Sequence, residues 1–324
     1  MTSILLYWNH ICVLHRQEKA FLEGLAQRLR KDDIQLEVRY FGLGYPEHMS
    51  EYLARPDAVL PDLIVSADLE VFEDPLIFSK LQPELYPSAD WVPLRQSPML
   101  NAVQRGHCLL PFVSIPLVYY TREPETCAKT VLPDWYGLAF GGINNSAVKT
   151  VVKAVWEQWG QTAAAQLLET SLVTDMPIGA FQAVRQGQTN TALVPSLYAL
   201  RADGRETFLR VPREGPVLIP SYFCARTSVP EWAARRVAES ILSRELCDFY
   251  AANGDLIVYP ACTELHSRQE KAHALCPSAE WLGQLSREDF YQLYCAKLPS
   301  AVDFGGILAA LSLGASKAKI EGSA

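Results

Sequence analysis

Side chains that could bind a ligand or a metal ion follow several apolar segments of this chain, at positions where strands would end. We predict that nine of them contact a ligand: Trp8, Asn9, His10, Ser66, Asp68, Ser114, Asn145, Ser146 and Tyr198. Hydroxyl and amide groups beside a helix start bind anions, because free backbone N–H groups point at the same place. Imidazole, carboxylate and phenol groups bind metal ions, so the candidate metal ligands are His10, Asp68 and Tyr198.

Each of these residues also has an ordinary structural interpretation. Asp68 could cap the helix that follows it, and Glu70 is a second candidate for the same acidic position. Asn145 or Ser146 could cap the helix that begins there, and His10 could belong to a polar loop. Three candidate donors are too few for a hard ferric ion, which prefers several oxygen ligands. The choice between an organic anion and a metal-containing ligand therefore stays open, and no cofactor is predicted.

Two cysteines and two histidines near the C-terminus form a second pattern that could bind a metal ion. These residues are Cys262, His266, His273 and Cys276. Zinc sites use the same residue types, but structural zinc sites have closer and more regular spacing. The alternative is a set of surface histidines beside buried cysteines, since a free cysteine often serves as a small buried hydrophobe.

Size and composition indicate a two-lobed, water-soluble protein. The 324 residues are many for a single hydrophobic core, and 49% hydrophobic with 20% charged residues is typical of globular proteins. A net charge of -7 argues against a nucleic-acid partner, which would need a basic surface. No apolar run reaches the roughly 20 residues of a membrane span. The sequence also lacks a phosphate-binding glycine loop and a Gly-x-Ser-x-Gly elbow.

The first residues of the chain are informative about the cellular compartment of the protein. The first three residues are followed at once by the apolar run Ile4–Tyr7, without the basic region, long apolar core and cleavage site of an export signal. We therefore expect a cytoplasmic protein; the alternative is a periplasmic protein whose export signal has been removed. The 8 cysteines are scattered, without the spacing of a disulfide module, which also favours a reducing compartment.

Alternating strand and helix patterns predict an α/β protein. Ile4–Trp8, Ile34–Phe41 and Pro61–Ser66 have strand patterns, and helical patterns lie between them, as at the start of a doubly wound lobe. Pro111–Tyr120 and Val217–Ala225 are long extended apolar segments, and we predict that both cross between two lobes. Two short helices and a returning strand within 252–260 should follow the second crossing.

Four segments in this order resemble the type II periplasmic-binding-protein family, the solute receptors of ABC importers, and most nearly its ferric-iron and polyamine branches. The segments are Pro61–Asp68, Leu117–Arg122, Gln186–Tyr198 and Pro220–Gly254. The similarity covers about residues 4–262, and its specificity lies in the order and spacing of the segments. Iron-binding members carry two adjacent tyrosines where this chain has Leu197 and Tyr198, so one of the two phenols is missing.

The resemblance implies a two-lobed α/β clamshell with a helical C-terminal extension that closes on a small ligand by a hinge motion. We expect lobe 1 to comprise 1–115 and 222–262, lobe 2 to comprise 116–221, and the extension to comprise 263–324, frayed after about 313. The implied function is a solute-binding protein for an anionic or metal-containing ligand, with an ABC-type permease as partner, or an intracellular carrier or sensor. The alternative is an enzyme on the same fold that uses a cleft cysteine, Cys12 or Cys108, or a cleft histidine as the reactive group.

Overall fold

The computed structural model describes residues 1–42, 44–127, 129–271 and 273–311. Strands form where the sequence alternates or runs apolar, so the three predicted N-terminal strands are present as β1 to β3. The strands are β1 (Thr2–Asn9), β2 (Ile34–Phe41), β3 (Leu63–Ser66), β4 (Leu110–Thr121), β5 (Ala139–Gly141), β6 (Leu172–Thr174), β7 (Thr191–Pro195), β8 (Phe208–Arg210), β9 (Val217–Ala225) and β10 (Ile257–Val258).

Helices alternate with these strands and bury one apolar face each; in the first helix that face carries Leu22, Leu25 and Leu29. The helices are α1 (His15–Leu29), α2 (Met49–Ala54), α3 (Glu70–Glu73), α4 (Pro75–Phe78), α5 (Pro98–Val103), α6 (Pro124–Cys127), α7 (Ser146–Trp159), α8 (Gln161–Thr170), α9 (Pro177–Arg185), α10 (Ser196–Ala199), α11 (Glu231–Ile241), α12 (Arg244–Gly254), α13 (Ala279–Gln284) and α14 (Arg287–Lys297). Residues 304–311 are also helical.

The ten strands of the described residues form one continuous sheet with a parallel group at each end. The order is β2-β1-β3-β9-β4-β7-β5-β6, and β8 and β10 also pair with β4. Strand β1 runs parallel to β2 and β3, and β5 runs parallel to β6 and β7. Helices cover these parallel groups, as expected for strands that are buried on both faces. We call the β2-β1-β3 side lobe 1 and the β7-β5-β6 side lobe 2.

Strands β4 and β9 connect the two lobes, as predicted. They pair antiparallel from Leu110–Phe223 to Leu117–Val217, and every residue of both strands is buried. The first half of β4 pairs with β10, and its second half pairs with β7 in lobe 2. Strand β9 ends against β3 in lobe 1. The architecture is therefore a two-lobed α/β clamshell whose lobes share two long strands.

The segment that follows the second crossing contains the two predicted helices and a shorter strand than predicted. Helix α12 ends at Gly254, and Asp255 then adopts a left-handed conformation with φ 52°. Strand β10 therefore contains only two residues, whereas the sequence predicted a longer strand within 252–260.

The C-terminal extension, residues 263–311 of the described chain, begins irregularly and then forms α13 and α14. Leu275 pairs beside the start of β9: its N–H donates to the carbonyl of Pro216 and its carbonyl accepts the N–H of Leu218, both at 2.9 Å. Tyr294 of α14 is fully buried, and its hydroxyl donates to the carbonyl of Ile143 in lobe 2 at 2.7 Å. The predicted frayed end after about residue 313 lies outside the described residues. In the described part of the chain, no helix is long and apolar enough to cross a membrane.

Candidate functional site

Predicted ligand-binding residues from the two lobes meet at one junction. In lobe 1, the Oγ of Ser66 accepts a hydrogen bond from the N–H of Asp68 at 2.9 Å. In lobe 2, Ser146 begins α7, and its Oγ accepts the N–H of Leu69 at 2.8 Å. The start of a lobe 2 helix therefore lies directly against the segment that follows β3, and the two lobes are in contact here.

Two of the residues at this junction cap helices. The Oδ2 of Asp68 accepts the N–H of Ser50 at 2.8 Å, in the first turn of α2. The Oδ1 of Asn145 accepts the N–H of Ala147 at 2.9 Å, in the first turn of α7. Both bonds satisfy amides that have no partner within their helix. The helix that Asp68 caps precedes it in the chain, whereas the capping interpretation of the sequence placed that helix after it.

Four buried side chains and the partly buried Glu73 join lobe 1, lobe 2 and the C-terminal extension, and we call these five residues the interlobe latch: Glu70, Glu73, Lys149, Lys153 and Tyr291. The Nζ of Lys153 lies 2.9 Å from Glu70 and 2.7 Å from Glu73. The Nζ of Lys149 lies 3.4 Å from Glu70 and donates to the Tyr291 hydroxyl at 3.0 Å. The same hydroxyl donates to Glu70. Three separate parts of the chain thus share one hydrogen-bonded cluster.

Charge balance explains how the latch can stay buried. Burial by itself would raise the pKa of Glu70, but the charges of Lys149 and Lys153 outweigh burial and hold that pKa well below its usual range. Burial would likewise lower the pKa of Lys153, but Glu70 and Glu73 hold it above its usual value. Two carboxylates and two ammonium groups sum to zero. Glu70 and Lys153 therefore depend on the opposite charges around them to remain ionised away from water.

Of the latch residues, sequence reasoning identified only Glu70. A signal for the lysines was available, since Lys149 and Lys153 stand four residues apart on a helix that is otherwise rich in valine and alanine. Charged residues at this spacing on an apolar helix face indicate a buried partner of opposite charge.

His10 lies at the end of β1 in a second buried hydrogen-bond network. Its Nδ1 lies 2.6 Å from the Oε2 of Glu18, and the Tyr250 hydroxyl donates to the Oε1 of the same carboxylate at 2.6 Å. The imidazole stacks on Tyr40, with 4.9 Å between ring centroids. Its Nε2 is buried and finds no hydrogen-bond partner among the described residues. A carboxylate at Nδ1 fixes the tautomer that leaves a lone pair on Nε2, so this nitrogen could bind a metal ion.

The neighbours of His10 on β1 have different environments. Trp8 is 1% exposed, and its ring lies 6.4 Å from that of Phe112 in the core of lobe 1. Asn9 is partly exposed, with its side-chain amide beside Gly42. Alternation along the strand places the two side chains on opposite faces of the sheet. A ligand contact for either residue stays a prediction, and Trp8 is buried as a core residue would be.

The two remaining predicted residues lie apart from the junction. Ser114, on β4, shares a 2.6 Å hydrogen bond with the hydroxyl of Tyr259. Tyr198 is 5% exposed on α10 in lobe 2, with its ring 6.0 Å from that of Phe181. The structure therefore brings together Ser66, Asp68, Asn145 and Ser146, and it places Ser114 and Tyr198 in packed surroundings of their own.

A cavity of about 500 Å³, the interlobe cavity, lies beside the latch and is within the size range of small-molecule sites. Lobe 1, strand β9, helix α7 and the C-terminal extension all contribute to its walls. It is lined by Glu70, Phe72, Glu73, Asp74, Pro75, Phe78, Ser79, Gln82, Arg105, Leu109, Lys153, Tyr222, Ala279, Leu282, Gly283, Leu285, Arg287, Phe290 and Tyr291. Sequence reasoning missed most of these residues.

Arg105 differs from the other charged residues of the cavity wall. Glu70, Glu73 and Lys153 neutralise one another in the latch, and Asp74 pairs with Arg287 at 2.8 Å. The guanidinium of Arg105 instead donates to three backbone carbonyl groups and to the sulfur of Cys276. Among the ion pairs of the described residues, none includes Arg105. In the described residues, no carboxylate therefore contacts this positive charge, and Glu73 acts on it only electrostatically, without an ion-pair contact.

The described part of the chain contains no group of three or more histidine, cysteine, aspartate or glutamate side chains placed to hold a metal ion. The described residues of the predicted cysteine and histidine pattern therefore do not form such a group either. His266 is exposed and lies 2.7 Å from a guanidinium nitrogen of Arg95, and Cys276 contacts Arg105. Cys262 is exposed rather than buried.

No protein-family model matches this chain, and no curated protein matches it in sequence. Solved structures do match in fold. Iron-bound HitA from Pseudomonas aeruginosa is 16% identical with a TM-score of 0.65, over 92% of this chain and 100% of that one. A Bordetella ferric binding protein is 14% identical with a TM-score of 0.62, over 91% and 98%. A periplasmic thiamin binding protein is 12% identical with a TM-score of 0.58, over 91% and 96%. The chain therefore has the two-lobed fold of the type II periplasmic-binding-protein-like family.

Proposed function

We propose that this chain is a solute-binding protein that holds a small organic anion in the interlobe cavity and delivers it to an ABC-type importer. The observation that carries the proposal is the position of Arg105, an arginine without a carboxylate partner among the described residues, in the wall of a cavity between the lobes. The fold supports a binding role, because the similar solved structures are named as binding proteins.

The walls of the cavity support an organic ligand over a bare inorganic ion. Phe72, Phe78, Tyr222 and Phe290 present aromatic rings, and leucines lie beside them. Such a surface gains free energy by covering apolar atoms, whereas a hydrated ion would gain nothing from it. An organic anion with a ring or a short hydrocarbon body matches both the arginine and the aromatic walls.

The test is a thermal-shift screen of small carboxylates, phosphate esters and sulfonates, followed by calorimetric titration of the best compound. A ligand present at 100 times its Kd should stabilise the protein by about 2.7 kcal/mol. Arg105→Gln should weaken that ligand at least tenfold, because a charge-assisted hydrogen bond is lost. Arg235→Gln is the control, since Arg235 forms a half-exposed pair with Glu231 on α11.

A second variant separates binding from folding. Gly283 lines the cavity, and a Cβ added there would meet nothing within 4 Å. Gly283→Leu should therefore fold normally while filling part of the cavity, and it should abolish binding of the same anion. An anion that binds both Arg105→Gln and Gly283→Leu as tightly as the unchanged protein would exclude this cavity as the site.

A metal ion is the second candidate ligand, because His10 presents a buried Nε2 without a partner and a carboxylate behind its Nδ1. Native mass spectrometry with elemental analysis of the purified protein distinguishes a bound metal ion from a bound organic anion. Stoichiometric metal that is lost in His10→Ala would favour the metal ion.

An ABC-type permease as partner and a periplasmic location both follow from the proposed role. An enzyme that uses Cys12, Cys108 or a cleft histidine is not favoured, since the similar structures are binding proteins.

A further inference from the structure

Two cysteine thiols lie together outside the candidate binding site, where α12 meets the segment that leads into the C-terminal extension. Cys247 is fully buried on α12, and Cys262 is exposed after β10. The Cys262 thiol donates to the carbonyl of Leu242 at 3.3 Å, and its sulfur interacts with the Cys247 thiol.

The neighbouring residues hold the two thiols in this arrangement. The hydroxyl of Thr263 donates to the carboxylate of Asp248, so residues 262–263 lie along residues 247–248. The same hydroxyl accepts the N–H of Leu265 at 3.1 Å, which fixes the turn after Cys262. The bond from Cys262 to Leu242, just before α12, and the bond from Thr263 to Asp248, on α12, therefore hold Cys262 beside the first turns of that helix.

We propose that Cys247 and Cys262 form a redox modification site that closes to an intramolecular disulfide when the protein meets a small disulfide oxidant. The Cys262 thiolate attacks the oxidant RSSR, which gives a mixed disulfide on Cys262 and releases one RS⁻. Cys247 then loses its proton, and its thiolate attacks the Cys262 sulfur and releases the second RS⁻. The protein dithiol is oxidised by two electrons, and the oxidant is reduced to two thiols.

The different environments of the two sulfurs set the order of these steps. Burial, together with the neighbouring Cys262 sulfur, raises the pKa of the Cys247 thiol, so few Cys247 thiolates are present for the first attack. Cys262 is accessible to an oxidant, whereas Cys247 is covered. The resulting bond would fasten the start of the C-terminal extension to lobe 1. The proposal does not depend on the solute-binding function.

The experiment treats the folded full-length protein with oxidised glutathione, blocks free thiols with an alkylating reagent, and analyses the protein by intact mass and peptide mapping. After the mass of the alkyl groups is subtracted, we expect the oxidised protein to be lighter than the reduced protein by two hydrogen atoms. Peptide mapping should show a cross-linked peptide pair that contains Cys247 and Cys262. Closure of a loop of about 15 residues should also raise the Tm by several degrees, since the unfolded chain loses entropy.

Variants decide between this site and unspecific oxidation. Cys262→Ser should lose the cross-link, and Cys295→Ser, which changes another partly exposed cysteine, should retain it. Because Cys262 is exposed, its serine variant should fold normally, which a thermal melt under reducing conditions checks. A glutathione adduct that persists on Cys262, a cross-link to any other cysteine, or no loss of thiols in the unchanged protein would each overturn the proposal.

Discussion

Replacing Glu70 with glutamine should destabilise the protein at neutral pH, because Glu70 is the carboxylate that both latch lysines share. Its two oxygens lie 2.9 Å from Lys153 and 3.4 Å from Lys149. In Glu70→Gln, Lys153 keeps its 2.7 Å contact with Glu73, whereas Lys149 keeps only the Tyr291 hydroxyl within the latch. Lys149 is 7% exposed and cannot recover its hydration without a movement of the lobes.

The expected cost follows from this geometry. Removing one partner of a buried ion pair typically costs about 3–5 kcal/mol. Glu73 remains, and glutamine still accepts hydrogen bonds, so we expect the lower end of that range, about 3 kcal/mol. For a chain of this size each kcal/mol corresponds to roughly 2 °C in Tm, so the variant should melt about 6 °C lower.

Thermal and urea unfolding, followed by circular dichroism, measure the effect. Glu231→Gln is the matched control, because Glu231 pairs with Arg235 at 3.1 Å on the protein surface, with both side chains about half exposed. Loss of such a pair should change the free energy of unfolding by less than about 1 kcal/mol. The difference between the two variants therefore isolates the contribution of burial.

The pH dependence provides a second readout. The folded-state pKa of Glu70 lies below that of an unfolded glutamate, about 4.3, so its contribution is fully present above that value and is lost as the pH falls through the folded-state pKa. The gap between the unchanged protein and Glu70→Gln should therefore narrow below about pH 4. Equal stability of the two proteins at pH 7, or a gap of constant size down to pH 3, would refute the reasoning.

Three further substitutions test other parts of the fold. Ser146→Ala should cost about 1–3 kcal/mol of unfolding free energy, because it leaves the buried N–H of Leu69 without an acceptor. Gly215→Ala should cost more than the ~1 kcal/mol of a left-handed backbone alone, since its φ is 95° and an added Cβ would lie 2.1 Å from the carbonyl oxygen of His273. Glu18→Ala should cost at least about 3 kcal/mol, because it leaves several buried donors unpaired. Urea unfolding measures all three.

Each of these substitutions has a control in the same chain. Ser240→Ala removes an exposed side-chain bond to a helix carbonyl and should be nearly neutral. Gly204 has a φ of 72°, and a Cβ added there would meet open space. Gly204→Ala should therefore lose only the free energy that a left-handed backbone costs a residue with a Cβ. Glu245→Ala removes a carboxylate that is 66% exposed. If any core variant were as stable as its control, the contact assigned to that residue would make no contribution to the free energy of unfolding.

Local patterns in the sequence were sufficient to predict the framework of the fold. The alternation of Ile34–Phe41 and the apolar runs that became β4 and β9 depend on which face of a short segment is buried, and that information lies within a few neighbouring residues. The length of β10 was harder to predict, because helix and strand patterns compete over only a few residues near Gly254. The domain boundaries and the ligand contacts stay predictions.

The candidate site depended on tertiary structure. Glu70 and Lys153 are 83 residues apart in the chain, and Arg105 reaches the carbonyl of Pro277 across 172 residues. No local pattern encodes such pairings, because a charge is stable in the interior only where the whole fold brings a partner to it. The sequence by itself determined two α/β lobes joined by two crossing strands. Only the packing of α7 and the C-terminal extension against lobe 1 decided which charges of the cavity wall are neutralised in ion pairs. The same packing left Arg105 without a carboxylate partner among the described residues.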